Sequence, residues 1–382
     1  MWWVGPDNAF STLARASMRL PPLPNEIVVE ILECVASMLT VADLSKLSLI
    51  CKAWYPIAQS ILLNSVMITP RNIARLFSAI GEHPHFYPLI RNLDSRNLRA
   101  SSLEGFQSLR ASSKVLSLTL RSHLIDEAQE NIFVASFPHL QALSIKHGDI
   151  HSGFGSLARL IDSFPNLKSL TLENVHYDEG CRSTYHNVTM SLRSIHCCLG
   201  PRVMDELLQW LMSENSMSPI EYIFLGSVAS AYGKLPNCMP LFLSRLRGVK
   251  SVWLKLSTMW DPPPLTFAEN TQLEIIQFDF ELWGFNLSKW VSFLSTVFSS
   301  ITSVSVGTIL IIIRMPGSCQ PNFDWEDLGD ILKSPTFASL RKISILYSRP
   351  HVAGEPLHLE QLEDDIRQAF AHLEAKGALT VR

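Results

Sequence analysis

An internal repeat that runs through most of the chain is the feature that most limits its fold. Ser136–Ile145 and Ser163–Leu172 share the pattern Ser-Phe-Pro-x-Leu-x-x-Leu-x-hydrophobic and are offset by 27 residues. If the first apolar residue of each such copy is taken as an anchor, ten copies can be placed, at intervals of 24 to 29 residues with a last interval of 39. The anchors are Ile90, Val115, Leu140, Leu167, Leu192, Ile220, Val249, Leu273, Ile301 and Leu340. A unit of this size cannot bury its apolar side without neighbours, so the copies are expected to stack.

The spacing L-x-x-L-x-L and the period resemble those of leucine-rich repeats, which implies one short strand and one return helix per copy. The predicted fold class is therefore α/β: an irregular leucine-rich-repeat-like solenoid with a parallel sheet on its concave face and helices outside. Apolar spacing predicts connecting helices over Leu157–Phe164, Val203–Met212, Met239–Leu246 and Leu287–Phe298, and a C-terminal capping helix over Leu357–Leu373.

One departure from standard leucine-rich repeats concerns the turns. Eight residues after the anchor, such repeats favour Asn or Cys, whose side chains form a ladder with the backbone. Here that position holds other residues, for example Leu98, His123 and Gly148. The sequence therefore predicts that this side-chain ladder is absent. The backbone polar groups of the turns are then expected to find other hydrogen-bond partners.

The repeat pattern also predicts which side chains leave the core. The anchor and the residues three and five positions later face inward, so those two, four and six positions later point to the concave surface. Among these are Tyr222, Phe224, Trp253 and Lys255, which we hypothesise to form a substrate-binding surface because exposed aromatic residues are typical of binding hot spots. The alternatives are that loops or an extra helix cover them, or that a register shift of one residue turns them inward.

The N-terminal segment Leu20–Ala58 has more apolar surface than so small a unit can bury. Pro24 is suited to the first position of a helix that is apolar over most of its circumference. Its polar residues Glu26, Glu30, Glu33 and Ser37 form one narrow stripe. A second helix is expected after Thr40. The segment therefore predicts a partner protein.

These residues resemble an F-box, as found in proteins that deliver substrates to Skp-cullin-F-box ubiquitin ligases. The matching features are Leu23-Pro24 followed by Glu26-Ile27, the pair Ile31-Leu32, Asp43-Leu44, Leu47, and the run Leu49-Ile50-Cys51-Lys52-Ala53-Trp54. The resemblance implies three helices that dock on a Skp-type adaptor, and through it on a cullin scaffold. It implicates Leu23, Pro24, Ile27, Ile31, Leu44, Leu47, Leu49, Cys51 and Trp54 in adaptor binding. The arrangement also resembles the F-box families of filamentous and mushroom-forming fungi.

The predicted organisation is a poorly ordered leader (1–19), an F-box (20–64) and a solenoid with a capping helix (65–382). The predicted function is a substrate-recognition adaptor that binds a Skp-type subunit through the F-box and a target protein through the repeats. The alternative is a repeat scaffold with no role in ubiquitylation, whose N-terminal helices are a cap or a dimer contact.

Composition argues against other classes of function. A net charge of −3 without a Lys/Arg run gives no reason to expect nucleic acid or a membrane as partner. Seven cysteines without a C-x-x-C pair indicate reduced thiols, hence a cytoplasmic or nuclear protein. Phosphate-binding loops, nucleophile elbows and H-E-x-x-H helices are missing from the sequence, so we expect no enzyme activity, no cofactor and no metal.

Overall fold

The computed structural model describes residues 55–98, 106, 114–150, 153–177, 191–213, 220–227, 236–257, 264–281, 287–314, 325–348 and 359–382. The chain divides into two compact units, residues 1–64 and 65–382. The predicted leader (1–19) and residues 20–54 of the predicted F-box lie outside the described residues. Of the first unit, the structure describes helix α1 (Tyr55–Asn64).

Parallel strands dominate the second unit. Its described strands are β1 (Ser65–Ile68), β2 (Asn92–Arg96), β3 (Ser117–Arg121), β4 (Leu124–Ile125), β5 (Ala142–Lys146), β6 (Asp149–Ile150), β7 (Ser169–Glu173), β8 (His176–Tyr177), β9 (Ser194–Leu199), β10 (Tyr222–Ser227), β11 (Ser251–Ser257), β12 (Ile275–Glu281), β13 (Thr308–Arg314), β14 (Lys342–Ser348) and β15 (Leu379–Val381).

Twelve of these strands form one sheet in the order β1-β2-β3-β5-β7-β9-β10-β11-β12-β13-β14-β15, and β4-β6-β8 form a second sheet. All described pairs of neighbouring strands run parallel. Strand order follows chain order, and each parallel step requires a crossover connection. The unit is therefore a mixed α/β structure with a large parallel sheet, which is compatible with a solenoid.

The strand register tests the predicted anchors one by one. Asn92, Ser117, Ala142, Ser169, Ser194, Tyr222, Ser251, Ile275, Thr308 and Lys342 are aligned across the sheet. Nine predicted anchors lie two residues before one of these positions and are confirmed. Ile301 is wrong: Val306 precedes Thr308 by two residues and is fully buried, whereas Val304, the expected inward residue, is 65% exposed.

Helices connect many of the strands and cover one face of the sheet. They are α2 (Ile73–Glu82), α3 (Glu127–Ser136), α4 (Phe154–Asp162), α5 (Pro201–Ser213), α6 (Met239–Arg245), α7 (Leu287–Ser299), α8 (Glu326–Ile331), α9 (Leu359–Ala369) and α10 (Ala371–Glu374). The four predicted connecting helices correspond to α4, α5, α6 and α7 and are confirmed, with ends that shift by up to three residues.

Aromatic side chains fill the core between the helices and the large sheet. Phe133, Phe154, Trp210 and Phe298 are almost completely buried. Burying a side chain the size of phenylalanine contributes roughly 1.5–3 kcal/mol. Local signals position the helices that supply these residues; for example, the carboxylate of Asp126 accepts a hydrogen bond of 2.9 Å from the backbone N–H of Gln129 and caps α3.

The turns after β2, β3, β5 and β7 share one backbone geometry. The residue seven positions after each anchor has a left-handed backbone, with φ between 49° and 54°: Asn97, Ser122, His147 and Asn174. The N–H of each donates to a carbonyl at the end of the next strand, at 2.8 to 2.9 Å. Hydrogen bonds between backbone groups of successive repeats therefore satisfy the N–H groups of these four turn residues.

The prediction that side-chain rungs are absent is wrong at one position. His123, eight residues after its anchor, is 1% exposed, and its Nε2 lies 3.1 Å from the carbonyl oxygen of Ser95. With its proton on Nε2, the imidazole donates to this carbonyl as an amide would, at a position where the pattern expects Asn or Cys.

The two ends of the large sheet include strands that the repeat pattern did not indicate. β1 pairs with β2 before the first predicted anchor, and β15 pairs with β14 after the last one. The predicted capping helix is present as two helices, α9 and α10, with Phe370 between them packed 6.0 Å from the ring of Trp325. At Gly329 of α8, an added Cβ would lie 2.3 Å from the carbonyl oxygen of Ala369, so the two segments are in close contact.

Candidate functional site

The face of the large sheet that carries the residues two, four and six positions after each anchor is the candidate recognition surface, named here the open face. In β3, β5 and β7 these residues are half-buried while those between them are buried. The same alternation continues in β9 and β11, and in β10 as far as Gly226, which is buried. The predicted division into buried positions and more exposed positions is therefore confirmed, and the shift by one residue is excluded for these strands. That the more exposed positions form a concave surface stays a prediction.

Three rings form a row at the middle of the open face, named here the aromatic row: His196, Phe224 and Trp253. They are aligned in register on β9, β10 and β11. His196 stacks on Phe224 with ring centroids 4.0 Å apart and an angle of 14°. Phe224 meets Trp253 edge to face, with centroids 4.6 Å apart and an angle of 87°. Such contacts add to the stability given by area alone and hold the rings in fixed positions.

The residues beside the aromatic row are also arranged by the register. Tyr222 lies two positions before Phe224 on the same face and is 50% exposed. Gly226 lies two positions after Phe224, where an added Cβ would come within 3.1 Å of the Phe224 ring and 3.3 Å of Cys198 Sγ. A larger residue at position 226 would crowd the Phe224 ring and the Cys198 side chain.

Lys255 lies beyond Trp253 and faces away from the core, half-buried. Its neighbours across the sheet are Gly226, which has no side chain, and Asp279. The carboxylate of Asp279 is held by Arg314, with Nε–Oδ1 and Nη2–Oδ2 distances of 2.8 and 2.9 Å. The ammonium of Lys255 has no ion pair among the described residues, so it can receive an anionic group of a partner.

Charged groups on β5 and β7 border the other end of the aromatic row. Glu173 Oε1 lies 2.6 Å from Lys146 Nζ and 3.5 Å from His196 Nε2. Burial lowers the pKa of His196, and Lys146 acts in the same direction, while Glu173 opposes them. A neutral imidazole at physiological pH is consistent with its stacking on Phe224.

The described residues offer little for catalysis. Ser95 Oγ lies 3.0 Å from His123 Nε2, but both residues are almost completely buried, so a substrate cannot reach them. Burial raises the pKa of the Cys198 thiol, which keeps it protonated and weakly nucleophilic.

The described residues contain neither a metal-binding cluster nor a membrane-spanning helix. No group of three or more His, Cys, Asp and Glu residues there is arranged to hold a metal ion. In the same part of the chain, no helix combines the length and apolar character required to span a bilayer.

The predicted site residues fall into two sets. Tyr222, Phe224, Trp253 and Lys255 lie together on the open face, as predicted, and their role in recognition stays a prediction. His196 belongs with them but was not selected, although it stands four positions after its anchor, where the same rule would find it. The nine predicted adaptor-binding residues lie outside the described residues: Leu23, Pro24, Ile27, Ile31, Leu44, Leu47, Leu49, Cys51 and Trp54.

Comparison with known proteins bears on the N-terminal unit. Residues 20–64 match the family model described as F-box-like. The match supports an F-box protein, and F-box domains generally bind Skp-type subunits of ubiquitin ligases. No curated protein matches the chain at a significant level.

Proposed function

We propose that this protein is a substrate-recognition adaptor of a Skp-cullin-F-box ubiquitin ligase and is not itself an enzyme. The observation that carries the proposal is the F-box-like match at residues 20–64. In this proposal the F-box binds a Skp-type subunit, which connects the chain to a cullin scaffold. Ligase chemistry belongs to other subunits, and this chain contributes proximity and orientation.

The proposal assigns target binding to the second unit, as a leucine-rich-repeat-like solenoid. The supporting features are the parallel sheet with one strand per repeat and the aromatic row on its open face. Rings held by mutual contact lose little conformational freedom on binding, so their burial under a partner is favourable. Tyr222, Phe224, Trp253 and Lys255, together with His196, would form the centre of this surface.

Adaptor binding is tested by co-purification with a Skp-type subunit. We expect the wild type to recover the subunit and a variant with Leu23→Ala, Pro24→Ala and Trp54→Ala to lose it, because these residues match the docking positions of the F-box. The matched control is the variant Tyr222→Ala with Trp253→Ala, which changes the other unit and should recover the subunit at the wild-type level. Equal recovery by the wild type and the triple variant would show that the F-box assignment is wrong.

A repeat scaffold without a role in ubiquitylation is the second candidate, and the same experiment separates the two. A scaffold would bind its partner through the open face and recover no Skp-type subunit. The large sheet and the aromatic row suit both functions, so the N-terminal segment decides between them.

A further inference from the structure

A groove opens beside the open face, at the amino-terminal ends of β12, β13 and β14. Its volume is about 450 Å³. It is lined by Glu274, Ile275, Ser305, Gly307, Thr308, Ser339 and Arg341. This volume lies within the range of pockets that bind small molecules or a few side chains of a peptide.

The groove exists because one repeat lacks a side chain that its neighbours have. The position directly after the anchor holds a long side chain in the other repeats, and in the β13 repeat it holds Gly307: the series is Arg91, Leu116, Gln141, Lys168, Arg193, Glu221, Lys250, Glu274, Gly307 and Arg341. The backbone of Gly307 is bonded as in the other repeats: its N–H donates to the carbonyl of Glu274, and its carbonyl accepts from Arg341. An added Cβ would meet no atom closer than 3.8 Å. The glycine is therefore not required by the fold at this position.

From Arg193 onward, charges alternate along this series up to the missing side chain. Glu221 pairs with Lys250 at 2.9 Å and lies 3.7 Å from Arg193. Glu274 and Arg341 come next on either side of Gly307, two strands apart, which places their backbones about 10 Å from each other. Neither side chain has an ion-pair partner within 4.0 Å in the part of the chain that the structure describes. The pKa of Lys250 is raised first by its hydrogen bond to Glu221, and Glu274 adds only a weaker, longer-range attraction. The groove thus has a carboxylate on one wall and a guanidinium on the other, both without a direct salt bridge.

Ile275 gives the groove an apolar side and lies in line with Tyr222, which is next to the aromatic row. It is 41% exposed and aligned with Ser251 and Tyr222 on the open face. The aliphatic stem of a lysine or arginine could cover Ile275 while its charge reaches Glu274. In an extended peptide, residues i and i+2 lie on one side and about 6.6 Å apart, so an acidic residue two positions away could reach Arg341.

We infer that this groove is a second recognition site for an extended segment of the captured protein. That segment carries a basic and an acidic residue that are separated by one other residue. The inference rests on the proposed function, because it assumes that the open face captures a protein. Charge complementarity selects this occupant: an apolar segment would leave both charges unpaired, and a segment of one sign would meet repulsion at one wall.

The test uses three acetylated and amidated pentapeptides, Ser-Lys-Ala-Asp-Ser, Ser-Asp-Ala-Lys-Ser and the neutral Ser-Gln-Ala-Asn-Ser, titrated into the full chain and followed by NMR. We expect at least one charged peptide to bind several-fold more tightly than the neutral one, and salt to weaken this binding. Gly307→Lys fills the groove and offers Glu274 a partner, so it should abolish the difference without lowering the unfolding midpoint. Glu274→Gln with Arg341→Gln should abolish it as well and serves as the second variant if Gly307→Lys fails to fold.

The charge-swapped variant, Glu274→Lys with Arg341→Glu, should reverse the preference between the two charged peptides. Equal binding of all three peptides to the wild type, or unchanged binding to the filled and neutralised variants, would overturn the inference. Either result could occur while the variant Tyr222→Ala with Trp253→Ala still fails to capture the target. In that case only the role of the groove as a second recognition site is disproved, and the proposed function stands.

Discussion

At the residue scale, His123 shows how a buried side chain can connect two repeats. Its Nε2 bonds to the carbonyl of Ser95 on the preceding strand, and it is 1% exposed. A hydrogen bond between neutral groups typically contributes about 0.5–1.5 kcal/mol to stability. The ring must be uncharged to be stable in this environment, and burial accordingly lowers the pKa of His123, although the bond to Ser95 and the charge of Asp94 oppose the shift.

His123 is therefore expected to make the protein less stable in acid. Below about pH 6.5 the unfolded chain binds a proton at this residue before the folded chain does, so the free energy of unfolding falls as the pH decreases toward the lower folded-state pKa. Asn in place of His123 keeps a donor for Ser95 and does not titrate. We expect His123→Asn to show a smaller loss of stability between pH 7.5 and pH 5.5 than the wild type, measured by urea unfolding.

His123→Ala provides the comparison. It removes the bond and the packing of the buried ring at every pH, and we expect it to lower the free energy of unfolding by about 1–3 kcal/mol at pH 7.5. His196 and His372 also have lowered pKa values and remain in both variants, so some dependence on pH should persist. A His123→Asn protein with the full wild-type dependence would contradict the assignment.

The sequence could indicate the position of His123 but not its role. The repeat pattern identified the position eight residues after the anchor and expected Asn or Cys there. An imidazole can replace an amide only when its ring fits the space between two turns, and this depends on packing that a pattern of residue types does not contain.

At the element scale, the repeat spacing predicted most strands and helices because each copy carries the same local apolar pattern. The one wrong anchor comes from an ambiguity: Ile301-Thr-Ser-Val304-Ser-Val306 and Val306-Gly-Thr-Ile309-Leu-Ile311 both fit L-x-x-L-x-L. Pairing with β12 and β14 selects the second, since Thr308 aligns with Ile275 and Lys342. β1 and β15 lie outside the ten copies of the pattern, so the pattern could not predict them. They are identified as strands by their pairing with β2 and β14.

Aspartate substitutions distinguish the two registers. Val304 is 65% exposed, and Val306 is fully buried. We expect Val304→Asp to change the free energy of unfolding by no more than about 0.5 kcal/mol. Val306→Asp places an unpaired charge in the core, which is unfavourable by several kcal/mol, and should give unfolded or insoluble protein. Urea unfolding and the soluble yield measure both effects; if Val304→Asp were the more damaging change, the register described here would be wrong.

At the scale of the whole molecule, the site could be predicted only as far as strand alternation determines it. Alternation places Tyr222, Phe224, Trp253 and Lys255 on one face. The stacking of His196 on Phe224 and the groove at Gly307 depend on what neighbouring repeats contain or lack. These two features can be recognised only when the strand register shows which residues of neighbouring repeats lie next to each other.

If the two units have separate tasks, a chain that captures its target but cannot deliver it should protect that target. The variant with Leu23→Ala, Pro24→Ala and Trp54→Ala keeps the open face intact and loses the proposed adaptor contact. When it is produced in excess over the wild type, we expect proteins that accumulate on loss of the gene to accumulate again, because the variant competes for them. Quantitative proteomics with a protein-synthesis block measures their half-lives.

Adding Tyr222→Ala and Trp253→Ala to the triple variant should abolish this protection, because the target is no longer bound. Both residues are partly exposed on the open face, so their truncation should leave the fold intact, and the unfolding midpoint checks this. Ser117→Ala with Thr119→Ala on β3 is the matched control: it changes the same face at a distance from the aromatic row and should keep the protection. If the half-lives stay prolonged without Tyr222 and Trp253, the target binds elsewhere; if the triple variant never prolongs them, the chain does not work by delivering a captured protein.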